Sequence, residues 1–136
     1  MYLLTSSLPA SATRTFIRRK GIGVPKNTLR YPGHEIVGIV AAVGRNVTKF
    51  KVGDRAGVGC MVDSCMECES CKHGEEHYCE KGQTAWTYGY PSPSEPTGIT
   101  QGGYSNKIVV RDHFVVHIPE HINFQEAAPL LCAGIT

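Results

Sequence analysis

Four of the chain's six cysteines, Cys65, Cys68, Cys71 and Cys79, crowd into the fifteen-residue stretch CMECESCKHGEEHYC. This crowding constrains the fold more than any other feature. The surrounding residues 60–82 hold neither helical nor strand periodicity for long and are rich in Gly, Ser, Glu and Lys. A loop of that composition has little apolar surface with which to offset the entropy of ordering it, so it needs an external clamp. The spacing C-x2-C-x2-C-x7-C allows four thiolates to converge tetrahedrally on one zinc ion at about 2.3 Å per bond. A four-thiolate site has no open position for a substrate. Its role is structural, and in small zinc domains metal binding supplies folding free energy of order 10 kcal/mol.

Three other readings compete. A disulfide framework calls for an oxidising compartment, and no secretory signal is convincing, since MYLL is the only apolar cluster near the N-terminus. An iron-sulfur cluster is the closer rival, because C-x2-C-x2-C opens the bacterial ferredoxin run, which continues x3-C-P. Here seven residues precede the fourth cysteine and Glu80 follows it. Four inert buried thiols do not suit so polar a loop. His73 and His77 are available as substitute ligands but read more simply as solvated loop histidines.

A length of 136 residues is one domain's worth, or a piece of something larger. The net charge is +2, and 15 Gly and 8 Pro suit a loop-rich chain better than a helical bundle. Charge is unevenly placed. Residues 1–34 carry Arg14, Arg18, Arg19, Lys20, Lys26 and Arg30 with no acid before Glu35, while the remainder is acidic. A basic, Ser/Thr-rich, acid-free leader has the composition of an organelle transit peptide, and a poorly ordered arm or a misplaced start site would look the same. Nucleic-acid binding fits poorly, because few aromatics accompany the basic residues and the rest of the chain is acidic. The longest apolar run, Ile36 to Gly44, is far short of a membrane span.

Along the chain, Glu35 to Val43 is rich in Ile and Val and reads as one or two buried strands ending at a Gly-Arg-Asn turn. VTKFKVGDRAGVG reads as a hairpin-like meander that turns at Gly53-Asp54 and ends as a short strand near Gly59. Residues 83–101 should run irregularly before the strands GGYSNKIVV and FVVHIPEHI. Asn123 and Glu126 form a capping-box signal for a helix, and Pro129 interrupts it by pushing residue 128 away from helical dihedrals. A second helix is expected to start near Pro129 with Cys132 in its first turn. GIGVPK and GVGCMV lack the third glycine and βαβ frame of a dinucleotide fingerprint and read as turns. Trp86, Tyr88 and Tyr90 either line a pocket or pack a Pro-rich loop, packing being the expectation.

GHEIVGIVAAVGRNVTKFKVGDRAGVG, the four-cysteine run, GGYSNKIVV and APLLCAGIT, in this order, closely resemble the zinc-dependent medium-chain alcohol dehydrogenases. The resemblance is to the cinnamyl alcohol dehydrogenase branch and its microbial aldehyde-reductase relatives, and it covers residues 31–136. It implies a mainly β domain with short helices, a GroES-like partly open β-barrel, with residues 60–82 as its structural zinc lobe and residues 1–30 an unmatched, poorly ordered leader. Cys65, Cys68, Cys71 and Cys79 match the structural zinc ligands. His34 and Cys132 match two ligands of a catalytic zinc, and Glu35 matches the acidic residue beside that metal, an alternate ligand. Zinc there binds a substrate oxygen and polarises it, and hydride passes between an alcohol or aldehyde and NADP(H) held by a Rossmann domain. Cys132 near a helix N-terminus would have its thiolate favoured by the helix dipole.

The chain departs from this pattern in two respects. The family's first catalytic cysteine lies ahead of the GHE motif, and this chain has no cysteine before Cys60. Cys60 belongs to the GVGC strand end and is read as structural, not as a replacement ligand. The expectation is therefore a fragment, inactive by itself, of a zinc-dependent alcohol dehydrogenase whose Rossmann domain is absent. The alternative is a non-catalytic zinc-stabilised binding or scaffold module. Expected partners are a small-molecule alcohol or aldehyde, no nucleic acid and no membrane, with a homodimer conceivable for the full-length parent. The expected location is cytoplasmic, with organelle targeting by the leader as the alternative.

Overall fold

The computed structural model describes residues 3–7, 31–93 and 95–135. Residues 8–30, which hold most of the leader behind the transit-peptide reading, and with them the string GIGVPK, fall outside these. Within the leader, where no element is expected from the sequence, Leu3–Ser7 forms strand β1. It pairs antiparallel on one side with β2, Ile36–Val43, and on the other with β6, Lys107–Val110. Strand β3, Arg55–Val58, pairs antiparallel with β2 and with β7, Val115–His117, giving the order β6-β1-β2-β3-β7. A second, two-stranded sheet joins β4, Met61–Asp63, to β5, Ala85–Trp86.

β6 and β7 lie on opposite edges of the five-stranded sheet, yet only residues 111–114 separate them. A flat sheet would hold its edge strands about 19 Å apart, at about 4.8 Å per neighbour. Five residue steps reach about 18 Å when fully extended, and residues 112–114 are wound into a 3-10 turn, so they reach less. The sheet therefore curls until its edges approach. The core lies inside that curl, where Val110 of β6 and Val115 of β7 join Ile36, Val40, Phe50, Ala56 and Val58 in one buried cluster. Alternation along β2 produces the inward face, with Ile36, Gly38 and Val40 buried and Val37 and Ile39 partly exposed. Burying each such valine contributes about 1.5–3 kcal/mol.

The strand readings of 35–43, 55–59, GGYSNKIVV and FVVHIPEHI all hold, with shorter bounds. Val47 to Val52 forms no strand; Phe50 alone of this stretch is buried. Helix α1, Glu69–Lys72, and a 3-10 turn, Glu76–Tyr78, occupy the cysteine loop. Helix α2, Phe124–Ala127, starts as the capping signal indicates, with the Asn123 side chain accepting a hydrogen bond from the Glu126 N–H at 2.9 Å. Pro129 acts differently from expectation. Ala128 keeps helical dihedrals, φ −57° and ψ −49°, and Pro129 opens only a 3-10 turn, Pro129–Leu131, in place of a second helix.

β3 is the platform for this C-terminal segment. Arg55 donates to the Glu120 carbonyl at 3.1 Å and to that of Ile122, and its guanidinium stacks over Phe124 at 4.3 Å. Gly57 and Gly59 leave bare backbone beneath Leu131. A Cβ on Gly57 would lie 2.9 Å from the Leu131 side chain, and one on Gly59 would lie 2.7 Å from the Leu131 carbonyl oxygen. The Gly-x-Gly of GVGC is thus a packing notch at a strand end and not the turn expected from its sequence.

Candidate metal centres

Cys65, Cys68, Cys71 and Cys79 present four sulfurs within 4.8 Å of one another. The local chain explains the convergence. Met66 takes a left-handed conformation, φ 60°, which folds Cys65 to Cys68 into a tight knuckle. The N–H groups of Glu67 and Cys68 then both point at the Cys65 sulfur, at 3.4 Å each. Helix α1 carries Cys71 inward, and the 3-10 turn returns the chain to deliver Cys79. Cys65 and Cys71 stand 3.7 Å apart, close to the separation of about 3.8 Å that tetrahedral bonds of 2.3 Å require. His73 and His77 are exposed and stand outside the cluster; His73 pairs with the Glu69 carbonyl.

The thiols are electrostatically unequal. The backbone N–H of Cys65, assisted by those of Gln83 and Lys81 and opposed by burial, brings Cys79 down to about 6. The N–H of Cys71 likewise lowers Cys68. The Ser64 hydroxyl draws Cys71 down, but burial and its neighbours Cys68 and Cys65 outweigh this and push it up to about 11. Crowded thiols without a cation cannot all ionise, and a dication at their centre removes that conflict. The donor set suits zinc, four sulfurs with N–H support and no open side.

Glu76 anchors the lobe to the rest of the domain through two contacts. The Thr84 hydroxyl donates to the Glu76 carbonyl at 2.5 Å, and the buried Glu76 carboxylate meets His113 Nε2 at 2.5 Å. Burial opposes ionisation of Glu76, but its own backbone N–H, the hydrogen bond to His113 and the charges of His113 and His77 prevail and hold it below the ordinary carboxylate range.

A second cluster joins residues far apart in sequence: donor atoms of His34, Cys60 and Cys132 all lie within 4.8 Å of one another. His34 follows Gly33, whose φ of +106° few other residues adopt. The segment before it is held by hydrogen bonds from the Gly103 N–H to the Gly33 carbonyl, 3.0 Å, and from the Tyr104 N–H to that of Pro32, 2.9 Å. Cys60 sits at the turn from β3 into β4, its carbonyl accepting from the Thr87 N–H at 2.9 Å. Cys132 arrives on the segment that Leu131 docks against the glycine notch. The two sulfurs are 3.2 Å apart. Burial, followed by the hydrogen bond and charge of Cys132 and the charge of Glu35, pushes Cys60 up to about 11.

Four sequence expectations change here. Cys60 stands with His34 and Cys132 and not apart from them as a strand-end residue. Glu35 is exposed and is not among the clustered donors, although its charge reaches Cys60. Cys132 lies between two three-residue 3-10 turns, Pro129–Leu131 and Ala133–Ile135, with φ −149°, and not in a helix's first turn. Trp86 and Tyr88 are more than two-fifths exposed and do not pack the loop as expected; the Tyr88 ring lies 6.2 Å from that of His34. The one signal that could have found Cys60 is its being, with Cys132, one of just two cysteines outside the lobe.

The model of the alcohol dehydrogenase GroES-like domain matches residues 10–120, beginning inside the leader that shows no resemblance by motif. A probable cinnamyl alcohol dehydrogenase 3 of Oryza sativa subsp. japonica is 53% identical over 105 residues, 77% of this chain and 28% of that protein. NADP-dependent alcohol dehydrogenase C of Mycobacterium bovis is 54% identical over the same length, 77% of this chain and 30% of that protein. Among solved structures, CAD from Helicobacter pylori complexed with NADP(H) superposes with a TM-score of 0.80 at 38% identity, covering 99% of this chain and 39% of that one. The chain spans about three-tenths of the length of these curated relatives. The curled, mainly β architecture with short helices is that of a GroES-like alcohol dehydrogenase domain.

Proposed function

Because the chain belongs to the alcohol dehydrogenase GroES-like domain family, we propose that it is the metal-holding part of a zinc-dependent oxidoreductase that interconverts primary alcohols and aldehydes with NADP(H). The observation that carries this reading is the contrast between the two donor sets, one of four sulfurs and a second that brings together His34 and Cys132 from distant parts of the sequence. Four protein ligands close a zinc site, and fewer leave a position for substrate. Cys65, Cys68, Cys71 and Cys79 hold the structural ion, and His34 and Cys132 hold the catalytic one with Glu35 beside it. Zinc in such an open site supplies Lewis acidity, which polarises an aldehyde carbonyl or acidifies an alcohol.

The chain's own residues set the conditions for that chemistry. Gly33 and the backbone pairing to Gly103 and Tyr104 fix where the imidazole of His34 stands. The exposed Tyr88 ring, 6.2 Å from that of His34, offers an aromatic surface to a bound substrate. Glu35 adds negative charge at the rim, which favours a cation between the thiols. NADP(H) enters from the relatives, one NADP-dependent and one bound to NADP(H).

A chimera tests the reading. This chain is exchanged for its aligned part in NADP-dependent alcohol dehydrogenase C, and NADPH oxidation with an aldehyde is followed. The expected result is aldehyde-dependent turnover that His34→Ala abolishes. A folded, zinc-loaded chimera without turnover, or turnover indifferent to His34→Ala, overturns it and favours a zinc-stabilised scaffold module.

A further inference from the structure

We propose that Cys60 is the third protein ligand of the open metal site, completing with His34 and Cys132 a two-sulfur, one-nitrogen donor set within this chain. The inference rests on the reading that His34 and Cys132 hold zinc, and it assigns the ligand that the described residues otherwise leave unfilled. Four of the six cysteines belong to the lobe and Cys132 is one of the two ligands already named, so a second sulfur at this site has to come from Cys60 or from outside this chain. All three donor atoms already lie within 4.8 Å of one another. Bonds of 2.0–2.3 Å from a tetrahedral ion place its ligand atoms about 3.5–3.8 Å apart. The Cys60 and Cys132 sulfurs, at 3.2 Å, need to part by only about 0.6 Å to reach that spacing. Cys60 is half-buried, on a backbone anchored by Thr87, whose N–H donates to its carbonyl and whose hydroxyl donates to that of Gly59.

A buried pair of uncharged thiols is a poor alternative explanation. Sulfurs this close gain little from a weak S–H contact, while both lie beside the His34 imidazole and the charge of Glu35 reaches Cys60, surroundings that suit a cation. Metal entry displaces one proton from each thiol to solvent and leaves His34 neutral, so the two thiolates balance the charge of the dication.

The test uses the whole 136-residue chain under reducing conditions, loaded with Co(II) as the probe. Thiolate-to-cobalt charge-transfer absorption and metal count are read in wild type, Cys60→Ser, Cys60→His, His34→Ala and Cys132→Ser. Wild type should take up two cobalt ions. Cys60→Ser should keep the lobe's ion, lose charge-transfer intensity from the second, and bind that second ion at least about tenfold more weakly. Cys60→His should restore the second ion with one thiolate fewer in its spectrum, which a packing role for Cys60 would not produce. If His34→Ala and Cys132→Ser release the second ion while Cys60→Ser leaves its spectrum unchanged, the assignment of Cys60 fails and the two-ligand reading stands. If none of the three changes the second ion, that reading fails too. A Cys60–Cys132 disulfide in the reduced-purified protein, seen as a mass lower by two hydrogens, also overturns the assignment.

Discussion

The carbonyl oxygen of Leu131 lies 2.7 Å from where a Cβ on Gly59 would stand, and this approach brings Cys132 up to Cys60. A methyl group at residue 59 cannot share that space, and its obstacle is backbone, not a flexible side chain. Gly59→Ala should lift the 129–132 segment off β3 and destabilise the domain by about 1–3 kcal/mol. It should also weaken the His34, Cys60, Cys132 site while leaving the four-cysteine lobe loaded. Urea unfolding and metal counts read both effects; wild-type affinity at the second site would show that the notch does not position Cys132.

Acid should loosen the lobe from the barrel through Glu76. Its carboxyl titrates below the ordinary range in the folded chain, so its contribution is complete above the unfolded value of about 4.3 and disappears as pH falls through the lower folded value. Glu76→Gln keeps the shape but loses the charge-assisted bond to His113, at a cost of about 1–3 kcal/mol near neutrality. The gap between wild type and Glu76→Gln, measured by urea unfolding at each pH, should narrow toward acid. A constant gap would mean that the carboxylate charge contributes nothing.

Met66 occupies a conformation that costs a side chain with a Cβ about 1–2 kcal/mol. Met66→Gly removes that cost and raises the entropy of the unfolded chain by a comparable amount, about 0.4–1 kcal/mol, so zinc retention should hold or improve slightly. Met66→Ile, branched at Cβ, should release zinc to a chelator faster than wild type. Equal release from all three proteins would show that the knuckle's backbone does not limit the lobe.

The barrel strands were legible because alternation and turn residues coincide at 36–43, 55–58, 107–110 and 115–117. The four-cysteine lobe was legible because its ligands are local. Cys60 was not, because what joins it to His34 and Cys132 is a long-range docking made possible by two missing side chains, Gly57 and Gly59, which leave no periodic mark. Ala128 shows a related limit: tertiary packing of the 124–131 segment on β3 overrides the local preference of a residue before proline. The strand Leu3–Ser7 owes its place to partners a hundred residues away in β6 as well as to β2, and its short sequence carries little signal of either.

Zinc counting by native mass spectrometry on the reduced, purified chain tests most directly the division into a closed four-thiolate site and an open site at His34. Wild type should carry two zinc ions. Cys68→Ser with Cys79→Ser should carry one or none and lose the ordered structure of residues 60–82, while His34→Ala should carry one and keep it. A wild-type chain that folds without zinc, or a count that neither variant changes, would contradict it.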